Sequence, residues 1–563
     1  MKKNSNYQKT KVLSLCALTA LLSITSCTGD FESINTDPNG LEPEQVLISA
    51  RYYQPMASIY MNYNNTNYEY QLQQNLNADL YSGYLAVPTP FGGNNNNSTY
   101  VMNQGWNEMA FKAGELFVMK PISDILKATD EPDYTSVAKI VRVTAMQRVT
   151  DIYGPIPYTR AMQGGEAIPY DDQETLYKTF LQELAESVDV LTNFVDNDPA
   201  AASKRMSEFD IMCQGDNVLW IRFANSLRLR MAMRMVKVDP GFAKSTAEAA
   251  VNHKYGILTS ADRNIEVVDA GLNNPLNEIV FSYGDIRVGA LVISMLTGYE
   301  DPRLPKYVTP IGWLDENGVQ QDIKDNKGKN LGKIGEYIGI RQGIIIPDKN
   351  NYVMYSAPNM TRTTKATTYN GGRTQLSNAN PIMKVAEVYF LRAEGALRGW
   401  NMGGSAKALY EEGIKVSFDE FGISNDEYTK YINNSTGVSA NYEDPYNSEY
   451  NIAGLDKETV KWEEGAALEN KLHKIINQKW IAMYPEGQEA WSEFRRTGYP
   501  QLFPVANNRS DGVIPQGEFV KRLRFPQNDR NANAAEVENA KSLLKGPDTE
   551  NTRLWWDVEG GNF

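Results

Sequence analysis

Two pairs of glutamates are the first residues in this sequence whose spacing could support chemistry. Glu387 and Glu394 lie seven positions apart, and Glu489 and Glu493 lie four apart, so each pair would share one face of a helix. Two carboxylates held about 5–10 Å apart can hydrolyse a glycosidic bond. Arginines are plentiful in the same segments, and a glutamate on a helix usually pairs with a nearby arginine. The pattern favours ion pairs, and a surface glycoside hydrolase remains an alternative.

Other catalytic chemistry has little support in the sequence. The chain has only two histidines, His253 and His473, which lie more than two hundred positions apart. A metal cluster ligated by histidine is therefore close to excluded, and a histidine general base would have to be one of these two. No glycine-rich phosphate loop, G-x-S-x-G elbow or H-E-x-x-H motif occurs. We predict no metal site and no cofactor, and none of these motifs commits the chain to catalysis.

Composition narrows the possible partners. The 563 residues carry a formal net charge of −13, which gives the chain no electrostatic reason to follow a phosphate backbone. Nucleic-acid binding is therefore not expected. Hydrophobic residues make up 42% and aromatic residues 10%, including 32 tyrosines and nine tryptophans. This composition is typical of a packed globular protein that is rich in rings.

The N-terminus has the pattern of an export signal. Four lysines precede a mostly apolar stretch that ends at Cys27 and is too short to span a bilayer. The run Ile-Thr-Ser-Cys at 24–27 resembles a bacterial lipobox, so we predict a signal peptide over 1–26 and an acylated Cys27. Residues 27–40 are then a lipidated tether. The alternative is a soluble periplasmic protein with a cysteine near its cleavage site.

The rest of the chain, 41–563, is predicted to be one mainly α-helical domain. The stretch from Asn217 to Val236 is the clearest helix, because apolar residues recur at three- and four-residue steps. Arg222, Arg230 and Arg234 line a second face, where they can extend over the core, pair with carboxylates of a neighbouring helix or bind an anion. The two structural roles are favoured over anion binding.

Two further segments set the predicted organisation. Residues 264–379 are rich in Gly, Asn, Thr and Pro, show weak periodicity, and are expected to form a loop-rich insertion with short β-strands. Helical patterning returns over 385–420, where Ala406, Tyr410 and Gly413 have the spacing of a tetratricopeptide second helix. One degenerate helix pair is predicted there.

Several segments in order resemble one family, the SusD/RagB outer-membrane lipoproteins of the Bacteroidota. Each segment alone is weak, and the strength lies in the ordered set, which spans nearly the whole mature chain. The matching segments are Asn-Thr-Asp-Pro-Asn at 35–39, Asp-Ile-Tyr-Gly-Pro-Ile-Pro-Tyr at 151–158, Gln-Gly-Asp-Asn-Val-Leu-Trp at 214–220, Asn-Ser-Leu-Arg-Leu-Arg at 225–230, Asp-Pro-Arg-Leu-Pro at 301–305, Ala-Glu at 386–387 and 393–394, Gln-Lys-Trp at 478–480, Arg-Arg-Thr-Gly-Tyr-Pro at 495–500 and Leu-Trp-Trp-Asp at 554–557.

The resemblance implies a SusD-like fold and a binding function. Such proteins have four tetratricopeptide-like helix pairs that support ligand-binding loops. They sit at the cell surface, held to the outer membrane by lipid, as a lid over a SusC-like TonB-dependent transporter. The implied role is to capture an oligosaccharide or polysaccharide and deliver it without cleavage. A lid of the same fold that binds peptide or sialic acid is the alternative.

A sugar has an apolar face and a polar rim, so its site needs aromatic platforms with amide and carboxylate partners. The chain concentrates such residues in two loop-rich regions. The first region supplies Asp79, Tyr81, Phe91, Asn95 and Trp106, and the second supplies Asn274, Tyr283, Arg287, Trp313 and Tyr355. Tyr81, Tyr283 and Trp313 are the strongest candidates for ligand contact.

Overall fold

The structure is a computed structural model. It describes residues 47–563 apart from 62–66, 166, 199–204, 269–273, 312, 315–319, 322, 325–327, 329, 333–334, 360–367, 370–372 and 375–378. The predicted signal peptide, Cys27 and the tether lie outside the described residues. Contacts within Arg51–Phe563 make that part of the chain one compact unit.

The chain is mainly α-helical, as predicted. The longer scaffold helices are α1 (Pro132–Tyr153), α2 (Gln173–Asn197), α3 (Asn217–Arg234), α4 (Pro240–Val251), α5 (Val385–Leu397), α6 (Ala406–Glu420), α7 (Leu468–Met483) and α8 (Gly487–Thr497). Shorter α-helices span Tyr53–Ser58, Asn67–Tyr70, Asp79–Tyr81, Gln104–Asn107, Met109–Lys112, Lys120–Ala128, Ala290–Gly298, Leu304–Tyr307, Lys349–Tyr352, Asn425–Ile432, Gln527–Ala532 and Ala534–Lys541. Single 3₁₀ turns span Ser49–Tyr52, Phe91–Gly93, Asn97–Thr99 and Ser448–Tyr450. Wider π-helical segments span Gln71–Ala78, Ala113–Met119 and Glu278–Ser282.

The scaffold helices pack as tetratricopeptide-like pairs that are consecutive in the chain. Helices α1 and α2, α3 and α4, and α5 and α6 pack against each other, and α7 contacts both α5 and α8. Side-chain caps fix several starts: Asp172, Asp216, Asp239 and Ser405 each accept a hydrogen bond from a backbone N–H in the first turn. The sequence identified one of these pairs, and the others follow the fold that the resemblance implied.

The segment 385–420, for which one helix pair is predicted, contains helices α5 and α6. A Cβ atom on Gly413 would lie 2.9 Å from the ring of Phe390, so the absence of a side chain lets the two helices approach closely. Tyr410 also lies near Phe390, with ring centroids 6.3 Å apart. The small residue that the tetratricopeptide spacing selected is therefore at the packing interface.

The strands of the described residues are short and pair as antiparallel two-stranded ladders. The strands are β1 (Leu85–Ala86), β2 (Ile265–Val268), β3 (Arg287–Val288), β4 (Trp313–Leu314), β5 (Gln320–Gln321), β6 (Ile323–Lys324), β7 (Asn330–Gly332), β8 (Thr368–Tyr369), β9 (Arg373–Thr374) and β10 (Ala379–Met383). The pairs are β1 with β3, β2 with β10, β4 with β5, β6 with β7 and β8 with β9. All but β1 lie within 264–383, in agreement with the short strands expected there.

The longest helix described in the loop-rich region was not predicted. Helix Ala290–Gly298 is buried from Ala290 to Leu296 and is apolar on nearly every side. A helix without a polar face has no 3.6-residue alternation, so periodicity could not reveal it. It follows β3 directly and places that strand against the core.

Over the described residues, none of the helices combines the length and the apolar character that crossing a membrane would need.

Candidate functional site

The two loop-rich regions meet at the ladder between β1 and β3. Leu85 lies opposite Val288, and Ala86 lies opposite Arg287. The first loop begins immediately after β1, and Tyr283 lies four residues before β3. This short pairing therefore brings the loop at 87–103 next to the segment at 283–287, although nearly two hundred residues separate them in the chain.

The asparagine run at 94–97 shapes the first loop. Asn94 exchanges two hydrogen bonds with the backbone of Ile346, at 2.9 and 3.0 Å, which ties the loop to the second region. Asn96 caps the turn that follows by accepting a bond from Ser98 N–H. The buried amide of Asn97 donates to Leu76 O at 2.7 Å. These three amides are used inside the protein, so the loop is well fixed.

The loop tip itself is open. Gly92 and Gly93 have φ of +57° and +66°, are exposed, and would meet no neighbouring atom with an added Cβ. Positive φ at successive positions favours glycine and makes the turn tight. The turn leaves Phe91 and Asn95 at the surface on either side of it.

Aromatic rings remain accessible on this surface. Phe91 and Trp106 are half-buried and meet edge to face, with ring centroids 5.4 Å apart. Tyr283, on the neighbouring segment, keeps 39% of its surface exposed. We call Phe91, Trp106 and Tyr283 the ring surface. Partly exposed rings of this kind can cover an apolar ligand face without any rearrangement of the core.

A charged pair links the segments beneath the rings. Asp285 accepts a hydrogen bond from Thr89 Oγ1 at 2.5 Å and from Lys349 Nζ at 2.9 Å. Thr89 belongs to the first loop and Lys349 begins a single-turn helix. Sequence reasoning missed both residues, because nothing in their local pattern shows that three distant segments meet at one carboxylate.

Five predicted site residues lie in the interior. Tyr81 packs on Trp491, with ring centroids 5.2 Å apart, and its hydroxyl faces Met102 Sδ at 3.5 Å. Tyr355 packs on Tyr352 at 5.0 Å. Both tyrosines are buried, and burial raises the pKa of each hydroxyl. They present no surface to a ligand and we leave them out of the proposed site.

The polar members of these five bond within the protein. Asn274 donates to Ala379 O at 2.9 Å. The Arg287 guanidinium donates to three backbone carbonyls, and burial lowers its pKa to about 10. Asp79 accepts from Asn75 at 2.7 Å, and burial raises its pKa to about 7. All three side chains are buried, so we assign them to loop and helix support and not to ligand contact.

Asn95 and Trp313 complete the predicted residues. Asn95 is exposed and accepts a hydrogen bond from the exposed Arg509 at 3.1 Å. Arg509 was not predicted and lies at the edge of the first loop, where its backbone N–H also bonds Thr99 O. Trp313 of β4 pairs with Gln321 of β5. The structure does not describe the Trp313 side chain.

The two glutamate pairs are part of one buried ion-pair network. Glu387 of α5 receives two bonds of 2.7 Å from Arg230 of α3. On α8, Glu489 lies 2.5 Å from Arg234 and Glu493 lies 3.1 Å from Lys479 of α7. The pairing of Arg230 and Arg234 with carboxylates of other helices is one of the two structural roles that the sequence favoured over anion binding. Arg222, the third member of that stripe, pairs with Asp262 at 2.6 Å.

The network also includes Glu394, the second glutamate of α5, through Arg496 of α8. Arg496 contacts Glu394 at 2.6 Å and Glu493 at 2.7 Å. Burial opposes ionisation of these glutamates, but the surrounding cations outweigh it and lower the pKa of Glu394, Glu489 and Glu493. All four glutamates are almost fully buried, so no substrate can reach a pair of them. Their role is to join α3, α5, α7 and α8.

Within the part of the chain that the structure describes, no group of three or more His, Cys, Asp or Glu side chains is arranged to hold a metal ion.

The fold and the surface define a class of protein: a scaffold of tetratricopeptide-like helix pairs that carries an open, ring-bearing loop surface. The family model described as SusD-like, Susd and RagB outer membrane lipoprotein, matches residues 33–557. The chain therefore belongs to the SusD-like family, whose description is that of an outer-membrane lipoprotein. The resemblance inferred from the ordered segments is confirmed.

Solved structures agree with this membership. A chitin-binding SusD homolog from Flavobacterium johnsoniae is 39% identical and superposes with a TM-score of 0.82, covering 92% of this chain and 100% of its own. A SusD homolog from Bacteroides vulgatus is 33% identical, with a TM-score of 0.80, and the match covers 92% of this chain and 98% of the homolog. A SusD homolog from Bacteroides thetaiotaomicron is 32% identical, with a TM-score of 0.78 and coverage of 92% and 100%. No protein with a curated function matches the chain.

Proposed function

We propose that this chain is a lipid-anchored surface protein that binds an oligosaccharide on its ring surface and does not cleave it. The observation that carries the proposal is that Phe91, Trp106 and Tyr283 keep accessible rings on short elements and turns that the rest of the fold holds together. Rings that are half-covered bind sugar faces at little ordering cost, because their rotamers are already restricted. Exposed Asn95 supplies an amide at the rim.

A chitin oligosaccharide is the first ligand to test. The proposal rests on the chitin-binding homolog, which is 39% identical over 92% of this chain. Neutral sugar rings with acetamido groups match a surface of aromatic and amide side chains. Two cations on the segments around Tyr283 are engaged internally, Lys349 by Asp285 and Arg287 by carbonyl oxygens. This arrangement favours a neutral glycan over a sialic acid or an acidic peptide, although Arg509 at the loop edge keeps those ligands as outcomes of the test.

Family membership supports a proposed partner and location. We propose that Cys27 is acylated after removal of residues 1–26, that 27–40 form a tether, and that 41–563 form the binding domain at the cell surface. A SusC-like TonB-dependent transporter is the proposed acceptor of the bound glycan. A surface hydrolase is disfavoured by the burial and full pairing of both glutamate pairs.

Retention of the mature chain on insoluble chitin tests the ligand surface. We expect Tyr283→Ala to reduce retention, because it removes an exposed ring. Phe242→Ala is the matched control, since Phe242 is another partly exposed aromatic residue, at 37%, and lies on scaffold helix α4. Equal retention of wild type and Tyr283→Ala would contradict the assignment of the ring surface. Preferential retention by a peptide or sialoside resin in a parallel panel would change the ligand class.

A further inference from the structure

We infer that Lys349 and Asp285 act as a positioning pair that holds Tyr283 in place for ligand. This inference rests on the proposed function and concerns the same surface. Asp285 is largely buried, with 14% of its side chain exposed, and Lys349 is 33% exposed. Their 2.9 Å ion pair ties the segment that carries Tyr283, two residues before Asp285, to Lys349.

The carboxylate of Asp285 joins three separate parts of the chain. It accepts hydrogen bonds from Thr89 of the first loop, from Lys349, and from Gln71 Nε2 at 3.3 Å. Gln71 is buried at the start of a π-helical segment. One acceptor therefore fixes the first loop relative to the segment at 283–287, which is where the ring surface is assembled.

Lys349 reaches Tyr283 itself. Its ammonium group donates to the backbone carbonyl of Tyr283 at 2.6 Å as well as to Asp285. Gly284, which lies between Tyr283 and Asp285 in the chain, has φ +63°, and a Cβ there would lie 3.0 Å from Val353 Cγ2. The backbone of Tyr283 is thus held against the helix Lys349–Tyr352, while its ring stays exposed.

The far end of the same segment is also attached to that helix. Arg287 Nε donates to Val353 O at 2.6 Å, just past the helix end. Segment 283–287 is therefore clamped at both ends, by Lys349 at one and by Arg287 at the other. Because the Arg287 side chain is buried and the Lys349 side chain is 33% exposed, the Lys349 end can be removed with less damage to the fold.

The helix that carries Lys349 is anchored in the core. Tyr352 is fully buried and packs on Tyr355 and Tyr446, with ring centroids 5.0 and 5.5 Å away. Asp348 caps the helix by accepting from Asn350 N–H at 2.9 Å. The buried Tyr352 fixes the helix, and Lys349 of that helix holds the backbone of Tyr283. The exposed Tyr283 ring is therefore held in place by a helix that packs in the core.

A double-mutant cycle tests this role with chitohexaose as the probe. We expect Lys349→Met to weaken binding about fivefold or more, because Tyr283 loses its fixed backbone. In the Tyr283→Ala background the same substitution should have almost no further effect, since the lysine acts through that ring. A merely structural lysine would weaken binding equally in both backgrounds, and that result would overturn the inference.

Lys430→Met is the matched control. Lys430 also forms a 2.9 Å ion pair, with Glu300, but at a different and exposed part of the surface. Its loss should leave binding and melting temperature unchanged. The outcomes remain distinguishable: unchanged binding in Tyr283→Ala rejects the proposed site, whereas weaker binding in Tyr283→Ala with unchanged binding in Lys349→Met rejects the positioning pair alone.

Hydrogen exchange supplies a readout that needs no ligand. Amides of 283–288 should exchange faster in Lys349→Met than in wild type, while those of α3 should not change. Equal exchange in 283–288 would contradict the clamp even if chitohexaose does not bind.

Discussion

Ala86 lies directly opposite Arg287 in the two-residue ladder between β1 and β3. This pair brings together the two loop-rich regions that the sequence singled out separately. The loop after β1 carries Phe91, and the segment before β3 carries Tyr283. The ring surface is therefore a consequence of one short strand pairing, supported by the bonds between Asn94 and Ile346.

Truncation of the edge-to-face ring pair should weaken glycan binding. We expect Phe91→Ala and Trp106→Ala each to cost about 1–2 kcal/mol of chitohexaose binding, the range of a residue that matters at an interface. The double variant should cost less than the sum, because each ring also orients the other at 5.4 Å. Calorimetric titration of the four proteins measures this. Full additivity would show that the two rings act independently.

Loss of charge in the buried network should affect stability and not binding. Glu493→Gln leaves Arg234, Lys479 and Arg496 without one of their shared carboxylates, and breaking such a buried pair costs about 3–5 kcal/mol. Chemical denaturation checks the value, with Glu464→Gln as control because Glu464 is 72% exposed. Wild-type stability together with lost sugar processing would instead favour the hydrolase.

Asp79 should make stability decrease as pH rises. Burial raises its pKa from 3.8 to about 7, despite hydrogen bonds from Asn75 and Gly487 and the charge of Arg148, and nearby Glu486 raises it further. Between about pH 4 and 7 Asp79 stays protonated in the folded chain but is ionised in the unfolded chain. Its contribution to the free energy of unfolding is therefore fully present below about pH 4 and is lost as the pH rises through about 7.

Asp79→Asn cannot release that proton. Its free energy of unfolding, relative to wild type, should therefore increase by about 2–4 kcal/mol between pH 4 and pH 8. Urea unfolding of both proteins at pH 4, 6 and 8 measures this difference. The other titratable groups are the same in both proteins, so their contributions cancel. Parallel pH profiles for the two proteins would show that Asp79 is ionised in the fold throughout this range.

How much of this could be read from the sequence depends on whether the signal is local. Helix α3 is predictable because its apolar residues recur at helical steps, and carboxylate pairing of Arg230 and Arg234 is one of the two structural roles that the same pattern favours. Helix Ala290–Gly298 was missed because it is apolar all round. Strands of two residues, such as β1 and β3, are too short to produce an alternating pattern.

The candidate site was predicted only by region. Composition located rings and amides in loops, but it could not say which of them face inward. Tyr81 and Tyr283 look alike in the sequence, yet one packs on Trp491 and the other is 39% exposed. Lys349 and Thr89 gave no signal, because their importance comes from long-range contacts with Asp285.

Cys27 should anchor the mature chain. Each buried methylene of an acyl chain contributes about 0.8 kcal/mol, so several chains on one residue hold a protein at a membrane without a spanning helix. Cys27→Ser should move the protein from the detergent phase to the aqueous phase, and the intact mass of the wild-type chain should exceed that of residues 27–563 by its lipid. A wild-type protein that is lipid-free and confined between the two membranes would contradict the surface location.

The most direct measurement is a titration of the mature chain with chitohexaose, followed by analysis of the sugar for new reducing ends. We expect saturable binding of the intact oligosaccharide, weakened in Tyr283→Ala and retained in Phe242→Ala, with no shortened products. Shortened products, or binding that is identical in wild type and Tyr283→Ala, would contradict it.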